Sequence, residues 1–205
     1  MDKNLKIVLL IAAALAVILF VVWCSIYFSK GNRKGRAAER KVAKRIRKLG
    51  KKDNIRLMNN VYLQLYNGTC EIDHLVFGRF GVFIVETKGI SGSVSGDGKR
   101  LVHKIGTKTH KLYNPQLQNR THIDNVVHHL RKGGFGDVPV TGVVVFTDKD
   151  LVLNTNVGIK LDQLDDVYNS LSDAGCNQDV LYHYFQKIQV TNPIKRFLHK
   201  FSYDE

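Results

Sequence analysis

The sequence predicts a mixed α/β domain, a central β-sheet flanked by helices, carried behind one N-terminal transmembrane helix. Three observations predict it. An uncharged apolar run lies near the N-terminus, strand-length apolar stretches separated by Gly-rich turns fill the middle, and helix-period segments stand before, between and after them.

Composition narrows the class. With 24% charged and 44% hydrophobic residues among 205, the chain has the balance of an ordinary globular protein, so a disordered or low-complexity chain is excluded. Cys24 falls in the apolar run, and Cys70 and Cys176 stand apart with no CxxC spacing. A disulfide scaffold and a structural zinc site are therefore not expected. The net charge of +13 is local. Residues 30–56 hold 13 Lys and Arg against Glu39 and Asp53, whereas residues 57–205 are close to neutral at +1.

Residues 7–28 carry no charge over 22 positions. As a helix they would be about 33 Å long, enough for a hydrocarbon core of roughly 30 Å. Trp23, Tyr27 and Phe28 sit at the end suited to an interface. A cleaved signal peptide has a shorter core and a small-x-small site, and no such site follows. The basic flank after residue 28 outweighs Lys3 and Lys6, so the positive-inside rule puts the C-terminal domain in the cytoplasm and the N-terminus outside. This makes the chain a single-pass protein of the cell membrane, in contact with lipid through residues 7–28.

Residues 29–36 read as a basic linker in which Gly31 and Gly35 break the membrane helix. From Arg36 to Leu49 the period turns helical, with Ala38, Val42, Ile46 and Leu49 on one face and Gly50 as terminator. Strands follow over 56–64, 71–77 and 82–88, the last two joined by the loop Gly78–Gly81. Residues 89–98 form a Gly/Ser-rich loop, and 101–110 add a strand. Pro115 opens a helix to about Arg131, and 138–146 reads as a buried strand. Helices around 161–171, 177–188 and 193–201 complete the chain, and the aromatics Tyr182, Tyr184, Phe185, Phe197 and Phe201 are expected in the core. The organisation is a mixed α/β domain at 37–150 and a helical extension at 151–205.

The chemistry concentrates in the hairpin. If Phe77 faces Val82, then Asp73 lies across from Glu86 and Glu71 across from Lys88, all on one face. Opposed carboxylates destabilise a sheet unless compensated. A shared proton is one compensation and a divalent cation another; the bland reading is an exposed face laced with ion pairs such as Glu71–Lys88. Mg²⁺ held by one or two carboxylates beside waters and phosphate suits this arrangement. Glu39 is an acid at the edge of an apolar stripe on a cationic helix. Gln118 and His122 share a helical face, with His122 read as a surface or core-edge residue and His74 as a packed one.

The motifs Gly35-Arg36-Ala37-Ala38-Glu39, Glu71-Ile72-Asp73-His74, Val85-Glu86-Thr87-Lys88-Gly89 and Asn114-Pro115-Gln116-Leu117-Gln118-Asn119 resemble the nuclease-related domain (NERD) family. They occur in the family's order over residues 35–150. The resemblance implies a restriction-endonuclease-like core of the D…(E/D)xK superfamily and a metal-dependent nuclease. It implies Asp73, Glu86 and Glu39 as ligands of Mg²⁺ or Mn²⁺, Lys88 as the lysine that orients or activates the attacking water, and Gln118 near the site. Nucleic acid, DNA in the first place, would be gripped through its phosphates by Arg36, Arg40, Lys41, Lys44 and Lys48. The alternative is a catalytically idle, membrane-tethered module that binds nucleic acid or protein.

Overall fold

In the computed structural model, backbone is described for residues 3–65 and 68–192, and side chains of 3–11 and 21–32 are left aside. The chain divides into two units, residues 1–37 and 38–205. Helix α1 (Lys3–Leu49) is continuous. The expected break at 29–36 is absent: a single glycine costs a helix only about 1 kcal/mol, which flanking Lys, Arg and Ala offset. Among the described residues no helix is long and apolar enough to cross a membrane, so the expected transmembrane helix is not met there. Only 12–20 of the segment 7–28 have described side chains.

In the second unit, strands β1 (Arg56–Leu65), β2 (Gly68–Gly78) and β3 (Gly81–Lys88) form an antiparallel meander. A parallel pair, β7 (Val140–Phe146) and the two-residue β9 (Ile159–Lys160), extends it in the order β1-β2-β3-β7-β9. One face carries Leu75, Phe77, Val82 and Ile84 under α2 (Pro115–Lys132) and α4 (Gln178–Ile188). The other carries Val76, Phe83, Val85 and Val145 under Val42 and Ile46 of α1 and Leu164 and Tyr168 of α3 (Leu164–Asn169). Arg45 fastens α1 to α3 through two bonds to Asp165, 2.5 and 2.6 Å.

The expected single sheet is two. β4 (Ser93–Ser95), β5 (Arg100–Ile105), β6 (Lys108–Tyr113) and β8 (Val152–Asn154) make a second sheet in the order β6-β5-β4-β8. The stretch expected as one strand at 101–110 folds back at Gly106, whose φ of 58° suits the turn. The extension 151–205 is not purely helical, because β8 and β9 belong to it; the helix expected at 193–201, with Phe197 and Phe201, lies outside the described residues. Tyr182, Tyr184 and Phe185 join the core as expected, and Phe77 meets Phe185 at 5.4 Å between ring centroids. Cys70 and Cys176 are free thiols.

The hairpin register is the expected one, with Phe77 facing Val82, closed by a tighter Gly78↔Gly81 pair. The expected common face for Glu71, Asp73, Glu86 and Lys88 is not. Asn60 and Asp73 drop out of the β1–β2 ladder together, and the pairs on either side keep the same register. Met58 and Val61, three apart, both enter the same core cluster, as do Ile72 and Leu75. Both strands thus exchange faces at this level. Asn60 makes the exchange with φ 51°, a left-handed conformation that Asn tolerates. Glu71, between core residues Cys70 and Ile72, turns to the opposite face from Lys88, and no Glu71–Lys88 pair forms. Asn60→Val is expected to cost about 1–2 kcal/mol and Asn60→Gly much less, read from urea denaturation midpoints.

Candidate active site

The end of β3 carries the site. Glu86 and Lys88 are two apart on the strand and point towards α2, where Gln118 and His122 are four apart. Two strand residues span about 6.6 Å and four helix residues about 6 Å, so one pair can lie along the other. Lys88 Nζ donates to Gln118 Oε1 at 2.9 Å and stands 2.7 Å from Glu86 Oε1. His122 Nε2 stands 3.3 Å from Glu86 Oε2. That contact allows charge attraction but is not aligned as a hydrogen bond, leaving Oε2 without a donor.

Local sequence sets α2 in place. Asn114 caps it: Oδ1 accepts from Gln116 N at 2.9 Å, while Nδ2 donates to Gly98 O. Pro115 then occupies the first helical position, where no amide proton is needed. Gly142 on β7 lets the helix come close. A Cβ there would sit 2.7 Å from Ile123 Cδ1 and 2.8 Å from Asn119 Nδ2.

Asp73 stands where β2 and β3 part. Their ladder ends at His74↔Val85, and Asp73 Oδ2 accepts the amide of Thr87 at 2.7 Å. Burial, then the Glu86 charge, raise the Asp73 carboxyl well above its ordinary range, against the Thr87 bond and Lys88; Glu39 pushes it further up. Glu86 is 2% exposed, and burial alone would raise it too. His122 and Lys88 outweigh burial and hold Glu86 below its usual range. The two carboxyls are thus pushed in opposite directions, Asp73 towards its protonated form and Glu86 towards its charged one.

His122, expected at the surface or the core edge, is 4% exposed. Burial opposes its charge, but Cys70 and Glu86 beside it raise it to about 9. Glu86 is the lasting cause, since a buried thiol carries no charge. Burial and Arg47 lower His74 to about 4 against the pull of Glu86, and its Nδ1 lies 2.8 Å from Asn59 Oδ1. Two-dimensional ¹H–¹⁵N spectra should show His122 protonated until about pH 9 and His74 neutral until about pH 4.

The remaining expected site residues divide. Glu39 accepts from Asn60 Nδ2 at 3.0 Å, and its influence on Asp73 places it nearby. Among the described residues no three His, Cys, Asp or Glu side chains are gathered as a metal-holding group. The donors present nonetheless suit a hard cation: carboxylate oxygens, one carboxylate oxygen lacking a donor, and, beyond burial, a neighbouring Glu86 charge that pushes the Asp73 carboxyl up. Arg36, Arg40, Lys41, Lys44 and Lys48 are all exposed along α1. Sequence reasoning missed His122 as a Glu86 partner. Its spacing from Gln118 was the available signal.

Among the described residues, Glu86 Oε2 and both ring nitrogens of His122, which meet at this seam, are buried polar atoms without a hydrogen-bond partner. Such groups are rare in folded proteins and concentrate where function demands them.

Residues 34–147, more than half of the chain, match the family described as nuclease-related domain, NERD. An uncharacterized protein of Bacillus anthracis is 28% identical over 175 residues, covering 82% of this chain and 81% of that protein. No solved structure matches.

Proposed function

Because the chain belongs to the nuclease-related domain family, we propose that it is a nuclease that hydrolyses phosphodiester bonds with a divalent cation, Mg²⁺ or Mn²⁺. The observation that carries the reading is the seam in which Glu86 and Lys88 of β3 lie against His122 and Gln118 of α2, next to the buried carboxyl of Asp73. Asp73 and Glu86 would hold the cation, with Glu39 as an outer carboxylate. Bound there, it would supply Lewis acidity to a phosphoryl group and to the water beside it.

The chain's own residues do the rest. Lys88, held between Glu86 and Gln118, places a fixed ammonium where phosphate charge develops, at a distance that suits it to orient water or phosphate. His122 favours the charged form of Glu86. Nucleic acid, DNA in the first place, is the substrate class, and Arg36, Arg40, Lys41, Lys44 and Lys48 provide phosphate contacts along α1.

Attachment to the cell membrane through residues 7–28, with the domain on the cytoplasmic side, belongs to the same reading. It is supported by the 22 uncharged positions and the basic flank that follows.

The test is incubation of the full chain, purified in detergent, with labelled DNA and RNA in Mg²⁺, Mn²⁺ or EDTA, beside Glu86→Gln. Cleavage that needs the cation and Glu86 is expected. Cation-independent cleavage, or equal cleavage by Glu86→Gln, contradicts the reading, and a chain that binds nucleic acid without cutting it is the idle module.

A further inference from the structure

The second sheet has one covered face and one open face. Leu101 and Val94 point into a core cluster with Phe146 and Leu151. Alternation turns Arg100, Val102 and Lys104 of β5 outward, opposite Tyr113, Lys111 and Thr109 of β6. All six are exposed, Tyr113 at 43% and Val102 at 39%. Ser93 and Ser95 of β4 face Lys104 and Val102, so they extend the same surface with hydroxyls. Val152 and Asn154 of β8 continue it.

No residue described on this face is acidic. Among the described residues, the side chains of Arg100, Lys104 and Lys111 form no hydrogen bond or ion pair. Three cations spread over a pleated face, with an exposed ring at one corner and hydroxyls at the other side, do not support the fold. Cations kept free of carboxylates favour an anion, and a ring among them favours an anion that carries planar groups. A flat sheet accepts splayed bases, and an exposed ring on it can stack on one.

The face also adjoins the candidate active site. Tyr113 immediately precedes Asn114, the cap of α2, and Gln118 on the next turn holds Lys88. Lys99 O accepts from Asn114 N at 3.0 Å, tying the start of β5 to the same helix end. From Lys88 to Ser93 is five residues, at most about 17 Å of chain.

We propose that the outer face of β4-β5-β6 is the platform on which single-stranded nucleic acid lies as it enters the site, Lys104, Lys111 and Arg100 holding phosphates and Tyr113 stacking on an unpaired base. This deepens the nuclease reading and rests on it for the direction of entry, but binding is measured without cleavage, so the two fail separately.

The experiment is fluorescence anisotropy of labelled single-stranded DNA and RNA with the full chain in EDTA, across a salt series. The Lys104→Glu/Lys111→Glu pair is expected to weaken binding at least tenfold. Its slope of log affinity on log salt should be shallower by about 1.4, roughly 0.7 for each lost phosphate contact. Tyr113→Ala is expected to lower affinity for single strands several-fold and Tyr113→Phe to restore it, since stacking needs the ring alone. Circular dichroism confirms that these surface variants fold. Unchanged affinity and salt slope in the charge-reversed pair overturn the proposal. So does a pair that loses binding only to phosphatidylserine vesicles, which would make the face a lipid contact. If Glu86→Gln shows that no cleavage depends on the site while the charge reversal still weakens binding, the platform stands and the nuclease reading falls.

Discussion

Asp73→Asn is expected to lower the rate of metal-dependent cleavage by about 10³-fold, close to 4 kcal/mol of transition-state stabilisation, without weakening the metal-free fold. The asparagine resembles the protonated carboxyl towards which burial and Glu86 push Asp73, and its side-chain oxygen can accept the Thr87 amide as Asp73 does. The sign of the pH dependence follows from the raised carboxyl. Below the unfolded value, near 3.9, Asp73 is protonated in both states. As pH rises through its folded value, the native state must give up a proton it holds more tightly than the unfolded chain does, and stability falls. His122 acts in the same direction, its contribution being present below about pH 6.5 and lost as pH rises through about 9. Urea denaturation in EDTA from pH 5 to 10 should therefore show wild type weakening with pH and Asp73→Asn weakening less. A variant that is unstable at every pH, or that retains activity, contradicts this role for Asp73.

Lys88→Ala is expected to abolish cleavage and to destabilise the fold as well. The loss leaves Glu86, 2% exposed, without its ammonium. Breaking a buried pair from one side costs about 3–5 kcal/mol, and the low end applies because the Lys88 side chain is 21% exposed. Removing both charges tests the cause. Glu86→Gln/Lys88→Met should recover most of the stability, since a neutral pair has no desolvated charge to compensate, and should stay inactive. Thermal melts of the three variants decide between them. If the double variant is no more stable than Lys88→Ala, the cost lies in packing rather than in charge.

The hairpin was legible in the sequence because Gly78 and Gly81 mark the turn, and a turn fixes register for every pair behind it. Glu86 and Lys88 follow from that register, whereas Gln118 was pointed to by the family resemblance. The face exchange at Asn60 and Asp73 was not legible. Glu71, Asp73 and Leu75 alternate in sequence as a regular strand would, and β1 shifts by the same residue, so neither strand alone betrays it. β8 and β9, at three and two residues, are too short to show a period. The burial of His122 depends on β3, more than 30 residues away in the chain, which no local pattern reports. The basic hairpin stayed hidden for a different reason: charge over residues 57–205 nearly cancels, and only pairing puts its cations together on one face.

Titration of the metal-free full chain with Mn²⁺, followed by calorimetry, tests most directly whether acids from β2 and β3 make a cation site. One Mn²⁺ per chain is the expected result, with binding lost in both Asp73→Asn and Glu86→Gln and a raised melting temperature in wild type alone. Wild type that takes up no Mn²⁺, or variants that bind it as tightly as wild type, would contradict the metal-dependent chemistry assigned to this seam.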